Sequence, residues 1–149
     1  MNKVILLVED NASDEKLTRL AFKSCGVANE LVVTRDGAAA LDYLFATGEY
    51  AERDATVMPR LILLDIKLPK IDGLEVLRRL RADPRTQLLP VVMLTSSKED
   101  EDVLRGYSLG ANAYVRKPVE IAEFAAAAKT VGLFWLLLNE PAPVHGSSS

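Results

Sequence analysis

The chain is poor in the side chains that carry most nucleophilic and metal chemistry, with one cysteine, Cys25, and one histidine, His145, in 149 residues. A lone cysteine excludes an internal disulfide and a cysteine-built zinc cluster. The one histidine lies in a terminal stretch of proline, glycine and serine, which nearly excludes imidazole catalysis. Long apolar runs are also missing. Val4 to Val8 is too short for a signal peptide and no small-residue cleavage site follows it. The apolar stretch near the C-terminus is interrupted by Lys129 and Thr130, so no membrane span is expected. These absences predict a cytoplasmic protein. Excess charge of one sign is lacking as well. With 18 basic and 21 acidic residues interspersed, a net charge of -3 offers no broad attraction for nucleic acid or an anionic membrane. The length suits one domain with its own core.

What the chain does have is a regular alternation of short aliphatic runs and segments of helical period. Val4 to Val8, Leu31 to Thr34, Leu61 to Leu64, Val91 to Leu94 and Ala113 to Val115 are apolar without alternation, as strands buried on both faces must be. Between them Leu17, Leu20, Ala21 and Ser24 predict one helical stripe, and Leu41, Leu44 and Phe45 a second after a cap at Asp36. Leu74, Leu77 and Leu80 predict a third, and Val103, Leu104 and Tyr107 a fourth that starts near Ser96 or Ser97 and stops near Gly110. A fifth follows Pro118. The pattern predicts an α/β fold of (βα)5 order with a parallel five-stranded sheet. Residues 47–60 read as a surface loop, and residues 141–149 as a disordered tail.

Open parallel sheets bind ligands at the carboxyl ends of their strands. Those positions hold Glu9 and Asp10 after the first run, Asp65 after the third, Thr95 and Ser96 after the fourth, and Lys117 after the fifth. The second run ends in Arg35 and Asp36, with no evident chemistry. Each residue has a structural alternative: Asp10, Asn11 or Ser13 could cap the first helix, Thr95 or Ser96 the fourth, and Lys117 could be solvated. As a set they point to chemistry. Three carboxylates converging on one edge need a cation to stay ionised. Magnesium, a hard ion that prefers oxygen ligands, suits them. An ammonium and a hydroxyl beside a carboxylate and a metal match the charge that develops in phosphoryl transfer, with the carboxylate as nucleophile.

From Lys3 to about Leu138 these motifs resemble the receiver domains of two-component response regulators. Val8-Glu9-Asp10 is similar to the acidic pair of that family, Leu61 to Asp65 to its phosphoacceptor strand, and Asp65 to Gly73 (DIKLPKIDG) to its characteristic loop. VVMLTS at 91–96 is similar to the strand with the switch threonine, and YVRKP at 114–118 to the aromatic, lysine and proline segment. The resemblance implies a flavodoxin-like, doubly wound sheet in the order 2-1-3-4-5, with a receiver over residues 1–140; no helix-turn-helix pattern or enzymatic module follows the fifth helix, so no output domain is expected. It implies phosphorylation of Asp65 by a sensor histidine kinase, assisted by Thr95 and Lys117. It implies Mg2+ held by Asp10 and Asp65, by Glu9 through water and by the Lys67 carbonyl, a switch of Thr95 and Tyr114, and a cis Lys117-Pro118 bond. Lys67 and Ser97 would tune how long the phosphate lasts. A regulator of this kind dephosphorylates itself slowly and is not a turnover enzyme.

Gly48-Glu49-Tyr50, the chain length and Phe134-Trp135-Leu136 further resemble regulators paired with bacterial and cyanobacterial phytochromes. Output is then expected at the surface of the fourth helix, fifth strand and fifth helix. Phe124, Val131, Phe134, Trp135 and Leu138 suggest a homodimer face, because apolar residues spread over more than the one face a packed helix needs. Two alternatives use the same residues: an aspartate-nucleophile phosphatase of haloacid dehalogenase type, or a receiver that docks without phosphorylation. The first wants an acid two residues beyond the nucleophile, where Lys67 stands. A nucleotide or flavin module is opposed by the lack of a glycine-rich loop after any strand.

Overall fold

A computed structural model describes residues 4–24, 29–95, 110–117, 122–123 and 126. The chain runs β1 (Val4–Val8), α1 (Ala12–Ser24), β2 (Glu30–Thr34), α2 (Gly37–Phe45), a 3-10 turn (Gly48–Tyr50), β3 (Leu61–Asp65), α3 (Gly73–Ala82), β4 (Val91–Thr95) and β5 (Ala113–Arg116). All pairings are parallel, in the order β2-β1-β3-β4-β5. This is the flavodoxin-like arrangement expected. The predicted fourth helix, all of the predicted fifth except the helical residues 122–123 and 126, the dimer residues Phe124, Val131, Phe134, Trp135 and Leu138, Pro118 and the tail lie outside the described residues.

The unbroken apolar runs follow from a sheet covered on both faces. Successive residues point to opposite sides, so Ile5, Leu7, Leu61, Leu63, Val92 and Leu94 form one core with Ala21 and Phe22 of α1. Leu6, Val8, Ile62, Leu64, Val91 and Met93 form the other, with Ala40 and Leu44 of α2 and Val76, Leu77 and Leu80 of α3. Burying each leucine stabilises by roughly 1.5–3 kcal/mol, so the central strands dominate the packing energy. The stripe predicted for α1 is shifted: Thr18, Ala21 and Phe22 are buried, whereas Leu17 and Leu20 are 42% and 53% exposed. Phe22 is the largest apolar side chain of that helix, and its burial sets the rotation.

Asp36 caps α2, as expected, by accepting a 2.7 Å bond from the Ala39 amide. The segment 47–60 is on the surface but is tightly held. Arg53 donates to the carbonyls of Tyr43 (2.6 Å), Leu44 (3.2 Å) and Val57 (2.6 Å), and its guanidinium lies 4.2 Å from the Tyr43 ring centre. It thereby satisfies the last carbonyls of α2 at the amino edge of the sheet. Arg81 plays a similar part for β5. It donates to Gly110 O (2.9 Å) and Asn112 Oδ1 (3.0 Å), and Asn112 Oδ1 also accepts from the Val91 amide.

Candidate functional site

The chain order reverses between β1 and β3, because β2 pairs with one edge of β1 and β3 with the other. The crevice at that switch point opens at the carboxyl ends of the strands. Glu9 and Asp10 follow β1 there, Asp65 ends β3 and Thr95 ends β4. Glu9, Asp65 and Thr95 are buried, and Asp10 is exposed. Close packing fixes Asp65. A Cβ on Gly73, the first residue of α3, would sit 2.0 Å from the Asp65 carbonyl oxygen, so only glycine lets that helix start against the strand end. The Lys67 amide donates to Asp65 Oδ1 at 3.3 Å, wrapping the following loop around the carboxylate.

Lys117 joins the elements. Its Nζ lies 2.8 Å from Asp65 Oδ2, 3.1 and 3.0 Å from Glu9 Oε1 and Oε2, and 3.1 Å from Asp14 Oδ2. The lysine side chain is 8% exposed, Asp65 5% and Glu9 0%. Lys117 is therefore not the solvated strand-end lysine of the structural alternative. Burial pushes the Glu9 carboxyl up to about 7; the Lys117 hydrogen bond opposes this, and the charge of Asp65 adds to it. Burial also disfavours the Lys117 ammonium, but hydrogen bonds and charge from Asp65 and Glu9 outweigh it and hold the pKa above the usual lysine value. Lys117 is a fixed cation at neutral pH.

The same edge carries more acid than one ammonium can balance. Glu9, Asp10 and Asp65 each offer a carboxylate oxygen, and these atoms lie within 4.8 Å of one another. An all-oxygen, multiply anionic donor set with no sulfur or imidazole fits a hard divalent cation, which these three carboxylates would hold. Lys67 is exposed at the position where a dehalogenase-type phosphatase needs its second acid, so that reading lacks its proton donor. Tyr114 lies within β5, and its side chain is outside the described residues, as are Ser96 and Ser97.

Two residues of the site escape a reading of strand ends. Asp14, in the first turn of α1, reaches Lys117 from a helix. Its signal was its place in the first turn of the helix that follows β1, where side chains tilt back toward the helix start and the strand end. Asn11 takes the capping role instead of Asp10, accepting from the Asp14 amide at 2.9 Å. Arg35, which had no evident chemistry, braces this helix: it donates to the Glu9 carbonyl (3.2 Å) and pairs with Glu15.

Comparison with known proteins agrees with this geometry. The family model for the response regulator receiver domain matches residues 5–129. Response regulator Rcp1 of Synechocystis sp. is 40% identical over 134 residues, covering 90% of this chain and 89% of its own. Among solved structures, the bacteriophytochrome response regulator AtBRR is similar with a TM-score of 0.84 and 52% identity, covering 94% of this chain and 99% of that one. The Mn2+-bound form of Rcp1 is similar with a TM-score of 0.72 and 38% identity, over 95% of this chain and 99% of that one.

Proposed function

The chain belongs to the response regulator receiver family, and from that premise we propose that it takes a phosphoryl group on Asp65 from a sensor histidine kinase of the phytochrome type. Receivers are signalling proteins that accept phosphate from histidine kinases, and they are not turnover enzymes. The observation that carries the reading is the Asp65 carboxylate held 2.8 Å from the Lys117 ammonium beside two further acids. The phytochrome pairing rests on the likeness to AtBRR and Rcp1.

In the reaction an Asp65 carboxylate oxygen attacks the phosphorus of a phosphohistidine. The new O–P bond forms as the P–N bond breaks, and the imidazole leaves with the electron pair and takes up a proton. Lys117 supplies fixed positive charge to the phosphoryl oxygens, and Thr95 supplies a hydroxyl to them once the group has arrived. Glu9, Asp10, Asp65 and the Lys67 carbonyl are assigned to Mg2+, which would neutralise further phosphoryl charge; the Mn2+ in Rcp1 supports a divalent ion here. Slow hydrolysis of the acyl phosphate then resets the protein.

Phosphorylation adds roughly one to two negative charges, enough to bias Thr95 and Tyr114 and, through them, the adjoining surface. Residues 1–140 form the receiver, 141–149 a tail, and the protein acts in the cytoplasm without contacting nucleic acid. Among the described residues no helix is long and apolar enough to cross a membrane. A homodimer through Phe124, Val131, Phe134, Trp135 and Leu138 is supported by the spread of apolar residues in that segment. Light scattering tests it: an unchanged mass on replacing Trp135 with a charged residue would overturn it.

The main reading is tested by incubating the protein with a phosphorylated histidine kinase or a small phosphodonor and Mg2+. The expected product is an acid-stable, base-labile phosphoprotein that Asp65→Asn does not form. A chain that takes no label would end this reading.

A further inference from the structure

We propose that Asp14 is a positioning residue for phosphoryl transfer, the carboxylate that keeps the Lys117 ammonium aimed at the reacting atoms while its other two partners are otherwise engaged. The inference rests on the Asp65 reading above and extends it to a residue on a helix. An ammonium has three donors, and Lys117 faces three carboxylates, those of Glu9, Asp14 and Asp65. The three are not equivalent. Asp65 and Glu9 belong to the group that would hold a divalent cation, and Asp14 does not. Asp65 also gives up its free carboxylate when it becomes an acyl phosphate. Asp14 is then the one partner whose charge and geometry the reaction leaves alone.

Its surroundings suit a fixed anchor. The Asp14 amide is bonded to Asn11 Oδ1 at 2.9 Å, so the residue starts its helix in a defined conformation. The carboxylate sits in the first turn of α1, where the helix end favours negative charge. Arg35 ties that turn to the end of β1 through Glu15 and the Glu9 carbonyl, so the distance from Asp14 to the strand ends is set by tertiary contacts. Asp14 is 29% exposed against 8% for Lys117, which places it at the rim with the ammonium beneath it. A lysine stem has four rotatable bonds, and without a lateral anchor its head is free to follow whichever acid is most negative. Asp14 opposes that drift. When the donor now on Asp65 transfers to a phosphoryl oxygen, the bond to Asp14 stays and limits how far the ammonium moves.

The test uses the full chain with Asp14→Asn, which keeps shape and removes charge, and Asp14→Glu, which keeps charge and adds reach. Labelling by acetyl phosphate is followed across a Mg2+ titration, giving a maximal rate and a half-saturating Mg2+ concentration. In Asp14→Asn we expect the maximal rate to fall about fivefold, as suits loss of one partly exposed charge-assisted bond. Half-saturation should stay within about twofold, because Asp14 is outside the metal group. Asp14→Glu should recover part of the rate. Independently of any phosphodonor, the Lys117 ammonium resonance of the 15N-labelled protein should shift or be lost to solvent exchange in Asp14→Asn. An unchanged maximal rate, a loss expressed only as a higher Mg2+ requirement, or an undisturbed Lys117 resonance would each overturn the proposal. If the unsubstituted chain takes no label, the Asp65 reading fails, and the resonance alone decides whether Asp14 orients Lys117.

Discussion

The two edges of the sheet handle a cation in opposite ways. At the amino edge Arg53 spreads its donors over three neutral carbonyls and lies against an aromatic ring. Each of its three nitrogens donates to a carbonyl that needs no further partner, so the arrangement calls for no added ligand. At the carboxyl edge Lys117 is shared among three carboxylates, with Asp10 beside them. That edge has a surplus of negative charge held partly out of water, and its energy depends on what else arrives. One edge is finished when the chain folds; the other, on the proposed function, would be completed by a metal ion and a phosphoryl group.

Removing the two cations should separate these cases most sharply. Lys117→Met leaves Glu9 and Asp65 buried without an ammonium, so metal-free protein should lose about 2–4 kcal/mol by urea denaturation at pH 7. Millimolar Mg2+ should restore much of it. Arg53→Ala should lose about 2 kcal/mol through orphaned carbonyls and the lost ring contact, and Mg2+ should restore none. An equal response of both variants to Mg2+ would erase the distinction between the edges.

A smaller effect should come from Glu9→Gln. The Glu9 carboxyl is raised to about 7 in the folded protein against an ordinary 4.5, so the fold binds its proton more tightly than the unfolded chain does. Its contribution is therefore fully present below about pH 4.5 and is lost as pH rises through about 7. With chelator present, the melting temperature of the parent should fall between pH 5.5 and 8 by more than that of Glu9→Gln. Parallel pH profiles would show that Glu9 is not under this strain. The smallest change sharpens the finished edge further. Ala46 ends α2 in the left-handed region at φ 56°, so Ala46→Gly should stabilise by about 0.5–1 kcal/mol without altering labelling.

The parts of this architecture that are local were legible in the sequence. Val4 to Val8 and Leu61 to Leu64 read as doubly buried strands because both neighbouring cores draw on consecutive residues, and Asp36 read as a cap because its partner is three residues away. Glu9, Asp10, Asp65 and Lys117 were legible as strand ends. The strand order was not, because handed βαβ units fix neither which edge of β1 receives β3 nor where the switch point falls; the family resemblance supplied it. Leu17 and Leu20 looked like a core stripe, but the sheet selected the neighbouring face that carries Phe22. Asp14 and Arg35 act across 103 and 26 residues of sequence, on Lys117 and Glu9, and no local period encodes such a meeting.

Lys117 also ties the charge balance of the carboxyl edge to the completeness of the sheet. Its bonds to Glu9 and Asp65 span 108 and 52 residues, and it follows β5, the last strand in sequence among the described residues. Without β5 the acids that follow β1 and β3 would face one another with no ammonium among them. The strand that completes this part of the sheet is thus also the one that brings the neutralising charge. On the phosphoacceptor reading of Asp65, the site is therefore whole only when β5 is in place beside β4.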